Sequence, residues 1–253
     1  MFDRLLNGHR RSKIRTAQLP ADTRVYAVGD IHGRVDLLRV AHARILEDAK
    51  TSSAKRKVVV YIGDYIDRGS ESCQVIDLLI DQPLAGFEAI HLRGNHEQAL
   101  LDFMGDTTVA PEWFFYGGDA TLSSYGVARP APGGGPDALL KVQADFKAKL
   151  PERHLAFYRS LVLSHREGDY LFVHAGIRPG VPLEAQSEHD LLWIRDAFLQ
   201  STVDHGYVVV HGHTITPRPE LKSNRIGIDT GAYATGRLTC LMIEQDEREF
   251  LTT

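Results

Sequence analysis

Short apolar runs rich in β-branched residues recur along the chain, and several of them end at a glycine followed by Asp or Asn. The first half contains three such runs, at 25–28, 58–62 and 89–92. Runs of this length that are bounded by turn residues are typical of buried strands. The stretches between them, at 35–49 and 73–80, have helical periodicity. The pattern therefore predicts a βαβαβ series with a mainly parallel sheet and an α/β (α+β) fold class.

Strands return in the second half, at 170–173, 207–210, 225–228 and 238–243. The first two of these strands are followed by histidines. Ligands of open α/β sheets bind outside the carboxyl ends of the strands, which is where these polar residues lie. We therefore expect the loops of two sheet halves to converge on one centre.

A less regular stretch from Gly105 to Gly168 separates the two halves and follows a predicted helix at 98–104. Its Gly/Pro cluster at 129–136 has no preceding strand and no following GK[ST], which argues against a phosphate-binding P-loop. We interpret residues 105–168 as a cap or insertion. Residues 1–23 are interpreted as a basic N-terminal arm, and residues 24–253 as a single domain that carries the cap.

Composition narrows the classes of function. The chain has 253 residues, 43% of them hydrophobic and 25% charged, with a formal net charge of −4. This balance is typical of a globular protein and offers no broad basic surface for nucleic acid or anionic lipid. The N-terminus lacks the apolar core of a signal peptide, and no apolar run approaches the ~20 residues of a membrane span. We therefore expect a cytoplasmic protein without nucleic-acid or membrane partners.

With 12 histidines and 2 cysteines, any metal site in this chain must use nitrogen and oxygen ligands, and the histidines justify a search for one. Cys73 and Cys240 are too few for a disulfide framework or a thiolate zinc site. Polar residues at the strand ends fall in five motifs, GDIHG, GDYIDRG, GNHE, VHAG and HGHT. The ligands that these motifs predict are Asp30, His32, Asp64, Asn95, His174 and His213.

This donor set predicts a site for two divalent ions. Two dications about 4 Å apart repel each other, so such a site needs a shared carboxylate and a bridging hydroxide between the ions. Asp64, in the middle of the set, is the natural bridge. Carboxylate, imidazole and amide ligands suit manganese, iron or zinc, and manganese is the ion that we expect.

The five motifs, in this order, resemble the calcineurin-like metallophosphoesterase superfamily. Within it they are most similar to the phosphoprotein phosphatases, particularly their short bacterial and phage members, and the match runs from Arg24 to Glu244. The resemblance implies a central β-sandwich of mixed sheets flanked by helices, with the active site on loops at the carboxyl ends of the strands. It assigns the first metal to Asp30, His32 and Asp64, and the second to Asp64, Asn95, His174 and His213.

The same resemblance implies the catalytic roles. It makes His96 the general acid, oriented by Asp67, and makes Arg68 and a later arginine, for which the LLWIRD segment offers Arg195, the ligands of the phosphate oxygens. The expected function is a binuclear metal-dependent phosphatase that hydrolyses phosphomonoesters by direct attack of a metal-bridging hydroxide. Its expected substrates are phosphoserine and phosphothreonine in proteins, with phosphotyrosine and small phosphoesters as further possibilities.

Two alternatives stay open at this point. The first is a symmetrical dinucleoside-tetraphosphate hydrolase, although such enzymes typically show GNHD and lack the aspartate of DRG, whereas Glu97 and Asp67 are present here. The second is a non-catalytic scaffold, a class that usually loses ligands or the acid histidine. A nuclease is disfavoured, because Ile215 stands where many nucleases of the superfamily carry a further histidine. The sequence predicts no oligomeric state.

Three residues near the motifs receive more modest interpretations. Glu97 is interpreted as a residue that caps or pairs at the start of the following helix. His211 is interpreted as a packing or supporting residue rather than a third ligand. Tyr233, in the segment IDTGAY, has two interpretations that stay open: it reaches the site, or it is an ordinary aromatic residue of a loop.

Overall fold

A computed structural model describes residues 17–130 and 133–253. Most of the predicted N-terminal arm, including its basic residues at 10, 11, 13 and 15, lies outside the described residues. At the beginning of the described chain, Ala17 and Leu19 are buried in the apolar layer between the two sheets described below. The predicted boundaries of the arm and the domain stay predictions.

Within the described residues, ten strands form two five-stranded sheets. The strands are β1 (Thr23–Val28), β2 (Arg56–Tyr61), β3 (Glu88–His91), β4 (Ser164–Glu167), β5 (Tyr170–Val173), β6 (Val208–His211), β7 (Glu220–Leu221), β8 (Arg225–Gly227), β9 (Thr239–Glu244) and β10 (Glu247–Thr252). The first sheet has the order β10-β9-β1-β2-β3 and the second the order β4-β5-β6-β8-β7.

Both sheets are mixed, as expected. The pairs β1·β2, β2·β3, β5·β6 and β6·β8 are parallel. Antiparallel strands extend each sheet at its edges: β9 and β10 in the first sheet, and β4 and β7 in the second. The parallel strands point their carboxyl ends to one edge of each sheet, which is where the predicted ligands lie.

Ten α-helices surround the sheets within the described residues. They are α1 (Val35–Asp48), α2 (Ser72–Asp81), α3 (Asn95–Gly105), α4 (Ala110–Phe115), α5 (Gly118–Ser124), α6 (Gly135–Lys149), α7 (Glu152–Ser160), α8 (Glu188–Trp193), α9 (Asp196–Leu199) and α10 (Ala232–Thr235). None of the helices in this part of the chain is long and apolar enough to cross a membrane.

The central strands are apolar on both faces because both faces are covered. Along β1, Val25 and Ala27 face the second sheet, whereas Tyr26 and Val28 face the helices. An apolar layer therefore lies between the sheets, and a helical layer covers the outer face of each one. This arrangement is the predicted β-sandwich flanked by helices, and it explains why the strands read as continuous apolar runs rather than alternating ones.

The sequence predicted an irregular structure for the stretch 105–168, but most of it is helical. It contains α4 to α7 and ends in β4, which pairs with β5 in the second sheet. Trp113 and Phe146 from this stretch are fully buried in the same apolar cluster as α1 and α2. Several of its helices are short, and glycine and proline interrupt their apolar positions, so periodicity was a weak signal here.

Candidate metal centre

The predicted ligands meet at the carboxyl ends of the parallel strands of both sheets. Each follows a strand directly or begins the helix after it, and each is at least 93% buried: Asp30 after β1, Asp64 after β2, Asn95 at the start of α3, His174 after β5 and His213 after β6, with His32 in the loop after Asp30. Two sheets thus supply one cluster of nitrogen and oxygen donors.

Asp64 is shared between two groups of donor atoms. On one side, its Oδ2 atom lies 3.5 Å from Nε2 of His32 and 3.8 Å from Nε2 of His96. On the other side, its Oδ1 atom lies 3.4 Å from Nε2 of His174, and His213 completes this second group. A carboxylate common to two donor groups is the arrangement that two neighbouring dications require.

Asn95 joins the second group through its side-chain oxygen. Its Oδ1 atom lies 2.9 Å from Nε2 of His174 and 2.9 Å from Nδ1 of His213. The structure thus brings Asn95 and both of these histidines to the side of Asp64 where the second ion is expected.

Backbone carbonyls fix which nitrogen two of the histidines turn toward the centre. Nδ1 of His32 donates to the carbonyl of Ile66 at 2.8 Å, and Nδ1 of His174 donates to the carbonyl of Ile62 at 3.0 Å. In each ring Nε2 is then the atom with a lone pair, and it faces Asp64. Orienting partners of this kind accompany most histidines that bind metals.

Asp30 supports the fit of a cation in another way. Its Oδ2 atom accepts a hydrogen bond from the backbone N–H of His213 at 2.9 Å. Its Oδ1 atom and Nε2 of His213 are buried, and neither has a hydrogen-bonding partner within the described chain. Buried polar atoms are normally satisfied, so two such atoms in a cluster of carboxylates and imidazoles fit a site for divalent ions.

The electrostatics keep the histidines neutral and Asp64 charged. Burial lowers the pKa values of His32, His174 and His213, which leaves their rings in the form that binds metals. Burial opposes the charge of Asp64, but the positive charge that a proton on any surrounding histidine would bring, led by His174, outweighs it and holds the pKa of Asp64 well below its usual range.

Backbone strain is concentrated at the same positions. Seven non-glycine residues in the described part of the chain have a positive φ. Five of them are at predicted site positions, with φ between 46° and 70°: His32, Asp64, Asp67, Arg68 and His213. Non-glycine residues seldom adopt this conformation, and they cluster at functional sites when they do. The strain is therefore an independent indication that these positions serve chemistry.

Two glycines allow the ligand loops to approach one another. A Cβ atom at Gly94 would lie 2.1 Å from Oδ1 of Asp64, and one at Gly212 would lie 1.9 Å from Oδ1 of Asp30. Neither position has room for a side chain. The glycines of GNHE and HGHT are therefore required by contact with the two carboxylates.

A hydrogen-bonded pair stands at the edge of the first donor group. Nδ1 of His96 lies 2.6 Å from Oδ2 of Asp67, and both side chains are buried. Burial disfavours a charged imidazole, but Asp64 and Asp67 outweigh it and raise the pKa of His96 above its ordinary value. The geometry therefore suits His96 to hold a proton at Nε2.

The two predicted arginines lie on opposite sides of the cluster. The guanidinium of Arg68 lies 3.0 Å from Nε2 of His32 and 3.2 Å from Nε2 of His96. Its guanidinium lies 4.7 Å from the ring centroid of Tyr233, so this tyrosine does reach the site, through a cation–π contact. Arg195 donates to the carbonyl of His213 at 3.2 Å.

Three aromatic residues lie beside the cluster, the exposed Phe115 and Tyr116 and the half-buried Trp193, and we call them the aromatic rim. The ring of Tyr116 lies 6.4 Å from the ring of His96, and 6.3 Å from the ring of Trp193. Phe115 packs edge-on against Tyr116 and is 84% exposed.

Glu97 caps the helix as predicted and also makes contacts that a capping role does not require. It does cap α3, since its Oε2 atom accepts from the backbone N–H of Gly94. The same carboxylate also accepts from the backbone N–H groups of Asp64, Tyr65 and Ile66. Glu97 therefore ties the loop that carries Asp64 to the helix that carries His96.

The remaining positions show one packing residue and one missed carboxylate. His211 lies in β6 with its ring edge-on to Phe198 and belongs to neither donor group, which agrees with a packing role. Asp229 is 97% buried and, after burial, is the largest contributor to the raised pKa of Asp30. It follows β8 as Asp30 follows β1, so its position at a strand end was the signal that could have identified it.

The chain is similar in sequence and fold to known proteins. A family model described as calcineurin-like phosphoesterase matches residues 23–239. Serine/threonine-protein phosphatase 1 of Salmonella typhimurium (strain LT2) is 27% identical over 233 residues, covering 87% of this chain and 92% of its own. A bis(5'-nucleosyl)-tetraphosphatase PrpE [asymmetrical] of Bacillus thuringiensis (strain Al Hakam) is 24% identical over 251 residues, covering 87% and 90%. The structure of a cold-active protein tyrosine phosphatase matches with a TM-score of 0.60 at 19% identity, covering 94% of this chain and 83% of that one.

Proposed function

The chain belongs to the calcineurin-like phosphoesterase family and is a hydrolase of phosphoesters, and on that premise we propose that it is a binuclear phosphatase acting on phosphoserine and phosphothreonine in proteins. The relative from Salmonella is named a serine/threonine-protein phosphatase. Phosphotyrosine and small phosphomonoesters are proposed as further substrates.

The family uses divalent metals, and the buried donor set described above fits two of them. We assign one ion to Asp30, His32 and Asp64, and the other to Asp64, Asn95, His174 and His213, with manganese as the expected metal and iron or zinc as alternatives. When bound, two such ions neutralise phosphate charge and supply hydroxide at neutral pH.

The pairing of His96 with Asp67 is the single observation that carries the choice of substrate. A serine or threonine alkoxide is a poor leaving group, so its departure requires a proton at the ester oxygen. His96, held through Nδ1 by Asp67, presents Nε2 toward the centre and can supply that proton. A nucleotide phosphate leaves as a stable anion and gains much less from such a donor.

The arginines complete the proposed site by holding the phosphoryl group. Arg68 already lies within hydrogen-bonding distance of His32 and His96, so a phosphate oxygen there would lie beside the proton donor. Arg195 approaches from the side of His213. Two planar guanidinium groups can orient the ester and stabilise charge on its equatorial oxygens.

A second function, hydrolysis of dinucleoside tetraphosphates, is favoured by the aromatic rim. Exposed rings next to a phosphate site give nucleobases a surface for stacking, which contributes about 1–3 kcal/mol per base. The relative from Bacillus is named an asymmetrical bis(5'-nucleosyl)-tetraphosphatase, whereas the sequence suggested the symmetrical reaction. The products distinguish the two, because symmetrical cleavage of diadenosine tetraphosphate gives two ADP, and asymmetrical cleavage gives ATP and AMP.

The experiment compares a phosphoserine peptide with diadenosine tetraphosphate in the presence of Mn²⁺. The wild type, His96→Asn and the control His189→Asn, which alters an exposed histidine of α8, are assayed side by side. We expect a higher kcat/KM for the phosphopeptide. We also expect His96→Asn to reduce that value about 10²-fold or more, and His189→Asn to leave it unchanged.

Other outcomes would change the proposal. A strong preference for the dinucleotide would establish the second function. Equal rates for wild type and His96→Asn on the phosphopeptide would remove the acid role. Elemental analysis showing no bound metal, together with no stimulation by added metal, would overturn the binuclear site, and hydrolysis of neither substrate would favour a non-catalytic scaffold.

A further inference from the structure

Asp67 is held by more than His96. The carboxylate is fully buried, and besides the contact with His96 its Oδ2 atom accepts a hydrogen bond from Nε1–H of Trp113 at 2.9 Å. Its Oδ1 atom accepts from the hydroxyl of Thr121 at 2.5 Å. Trp113 belongs to α4 and Thr121 to α5, so both donors come from the helical stretch that follows residue 105.

Thr121 also fixes the backbone of Asp67. The hydroxyl oxygen of Thr121 accepts from the backbone N–H of Asp67 at 2.9 Å, and Ser72 accepts from the same N–H at 3.1 Å. Asp67 has a φ of 70°, a conformation that a non-glycine residue keeps only when its surroundings enforce it. The contacts of Thr121 therefore restrain both the strained backbone and the direction of the carboxylate.

Trp113 is itself locked in place. It is 1% exposed, and its ring packs against Phe103 at a centroid distance of 4.8 Å. Behind it, a Cβ atom at Gly118 would lie only 2.4 Å from the indole ring. The indole cannot shift toward Gly118, and its single N–H has Asp67 as its partner.

We propose that Trp113 and Thr121 are positioning residues for proton donation, which hold the carboxylate of Asp67 so that His96 presents Nε2 to the leaving oxygen. This inference rests on the proposed function, because it requires His96 to be the proton donor. It gives the helical stretch 105–168 a part in the reaction rather than a covering role alone. In the described part of the chain, the hydrogen bonds of the Trp113 and Thr121 side chains do not include a predicted metal ligand.

Leaving groups that differ in their need for a proton test the proposal. p-Nitrophenyl phosphate releases a stabilised phenolate and needs little acid assistance, whereas a phosphoserine peptide needs a full proton. Trp113→Phe keeps the ring and removes the N–H donor. Thr121→Val removes the hydroxyl at constant volume, and Thr121→Ser retains it. Thr239→Val, at a buried threonine of β9, is the matched control.

We expect Trp113→Phe and Thr121→Val each to lower kcat on the phosphopeptide about tenfold, with KM unchanged. On p-nitrophenyl phosphate we expect both to stay within about twofold of the wild type, and Thr121→Ser to recover the phosphopeptide rate. The control variant Thr239→Val is expected to affect both substrates equally, if at all. Metal content and thermal midpoint are measured for every variant so that loading and folding are known.

His96→Asn serves as the reference that separates the two levels of the proposal. Suppose that His96→Asn is selectively impaired on the phosphopeptide, while Trp113→Phe and Thr121→Val lower both substrates equally. The positioning role is then overturned, and the two residues are structural only. If His96→Asn itself affects both substrates equally, the acid role fails and the proposed function fails with it. Should Trp113→Phe not fold, Thr121→Val and Thr121→Ser carry the same comparison.

Discussion

Substituting Glu97 by glutamine tests how the loop of Asp64 is held. The two oxygens of Glu97 accept four backbone N–H groups: Oε2 from Asp64 and Gly94 at 2.9 Å each, and Oε1 from Tyr65 at 2.8 Å and Ile66 at 3.3 Å. The side chain is fully buried. Glutamine has nearly the same size, so Glu97→Gln changes the hydrogen bonding and leaves the packing intact.

The magnitude follows from the number of donors that lose their acceptor. The amide NH2 of glutamine replaces one carboxylate oxygen and faces two backbone N–H groups that it cannot accept. Each buried donor left without a partner costs about 1–3 kcal/mol. We therefore expect Glu97→Gln to lower the free energy of unfolding by about 2–6 kcal/mol, which is a large part of the stability of a typical domain.

Urea unfolding at neutral pH measures this loss, first with Mn²⁺ present and then with a chelator. Because the weakened loop carries Asp64, we also expect less bound metal per chain in Glu97→Gln. The control is Glu188→Gln, which alters an exposed carboxylate paired with Arg93 at 3.2 Å and should change stability by less than about 0.5 kcal/mol. A Glu97→Gln protein within about 1 kcal/mol of the wild type, with full metal content, would refute this account of the loop.

Three further outcomes are expected. Burial lowers the pKa of His42, whose ring contacts the hydroxyl of Tyr61, to about 4. The free energy of unfolding should therefore fall by up to about 3 kcal/mol as the pH drops from about 6.5 toward 4. In urea unfolding curves measured over this pH range, His42→Gln should reduce the dependence on pH, and an unchanged dependence would contradict the assignment. Mn²⁺ at about 100 times its Kd should stabilise the fold by about 2.7 kcal/mol, an increase in Tm that a chelator reverses and that Asp64→Asn should abolish. Gly118→Ala should destabilise the protein by about 1–3 kcal/mol, because its methyl group would overlap the ring of Trp113; a thermal midpoint equal to that of the wild type would show that the ring can move.

The strands and the convergence of their ends were predictable because both depend on short-range pattern. The runs before Asp30 and Asp64 are apolar and β-branched, and each ends at a glycine that permits the turn toward the centre. Parallel pairing then brings the ends together without any knowledge of side-chain contacts. The assignment of individual ligand roles remains a prediction, although the geometry places the six candidate residues in one buried cluster.

The supporting contacts were not predictable, because they join residues that are far apart in sequence. Trp113 and Thr121 reach Asp67 across 46 and 54 residues. Within its own segment, Trp113 looked like one of four consecutive aromatics, and no period distinguishes the buried one from the exposed ones. Likewise, a glutamate at the start of a helix indicates a cap, and its three further contacts depend on how the loop of Asp64 folds over it.

Helix α4 divides two duties between neighbouring positions. Trp113, 1% exposed, points inward to Asp67, whereas Phe115, 84% exposed, and Tyr116 point outward at the entrance. On the proposed function, substitutions on the outer face of this helix alter which molecules are recognised, while the inner face keeps its contact with Asp67. The same coupling sets a limit on such substitutions, because one that rotates the short helix would also move the indole that donates to Asp67.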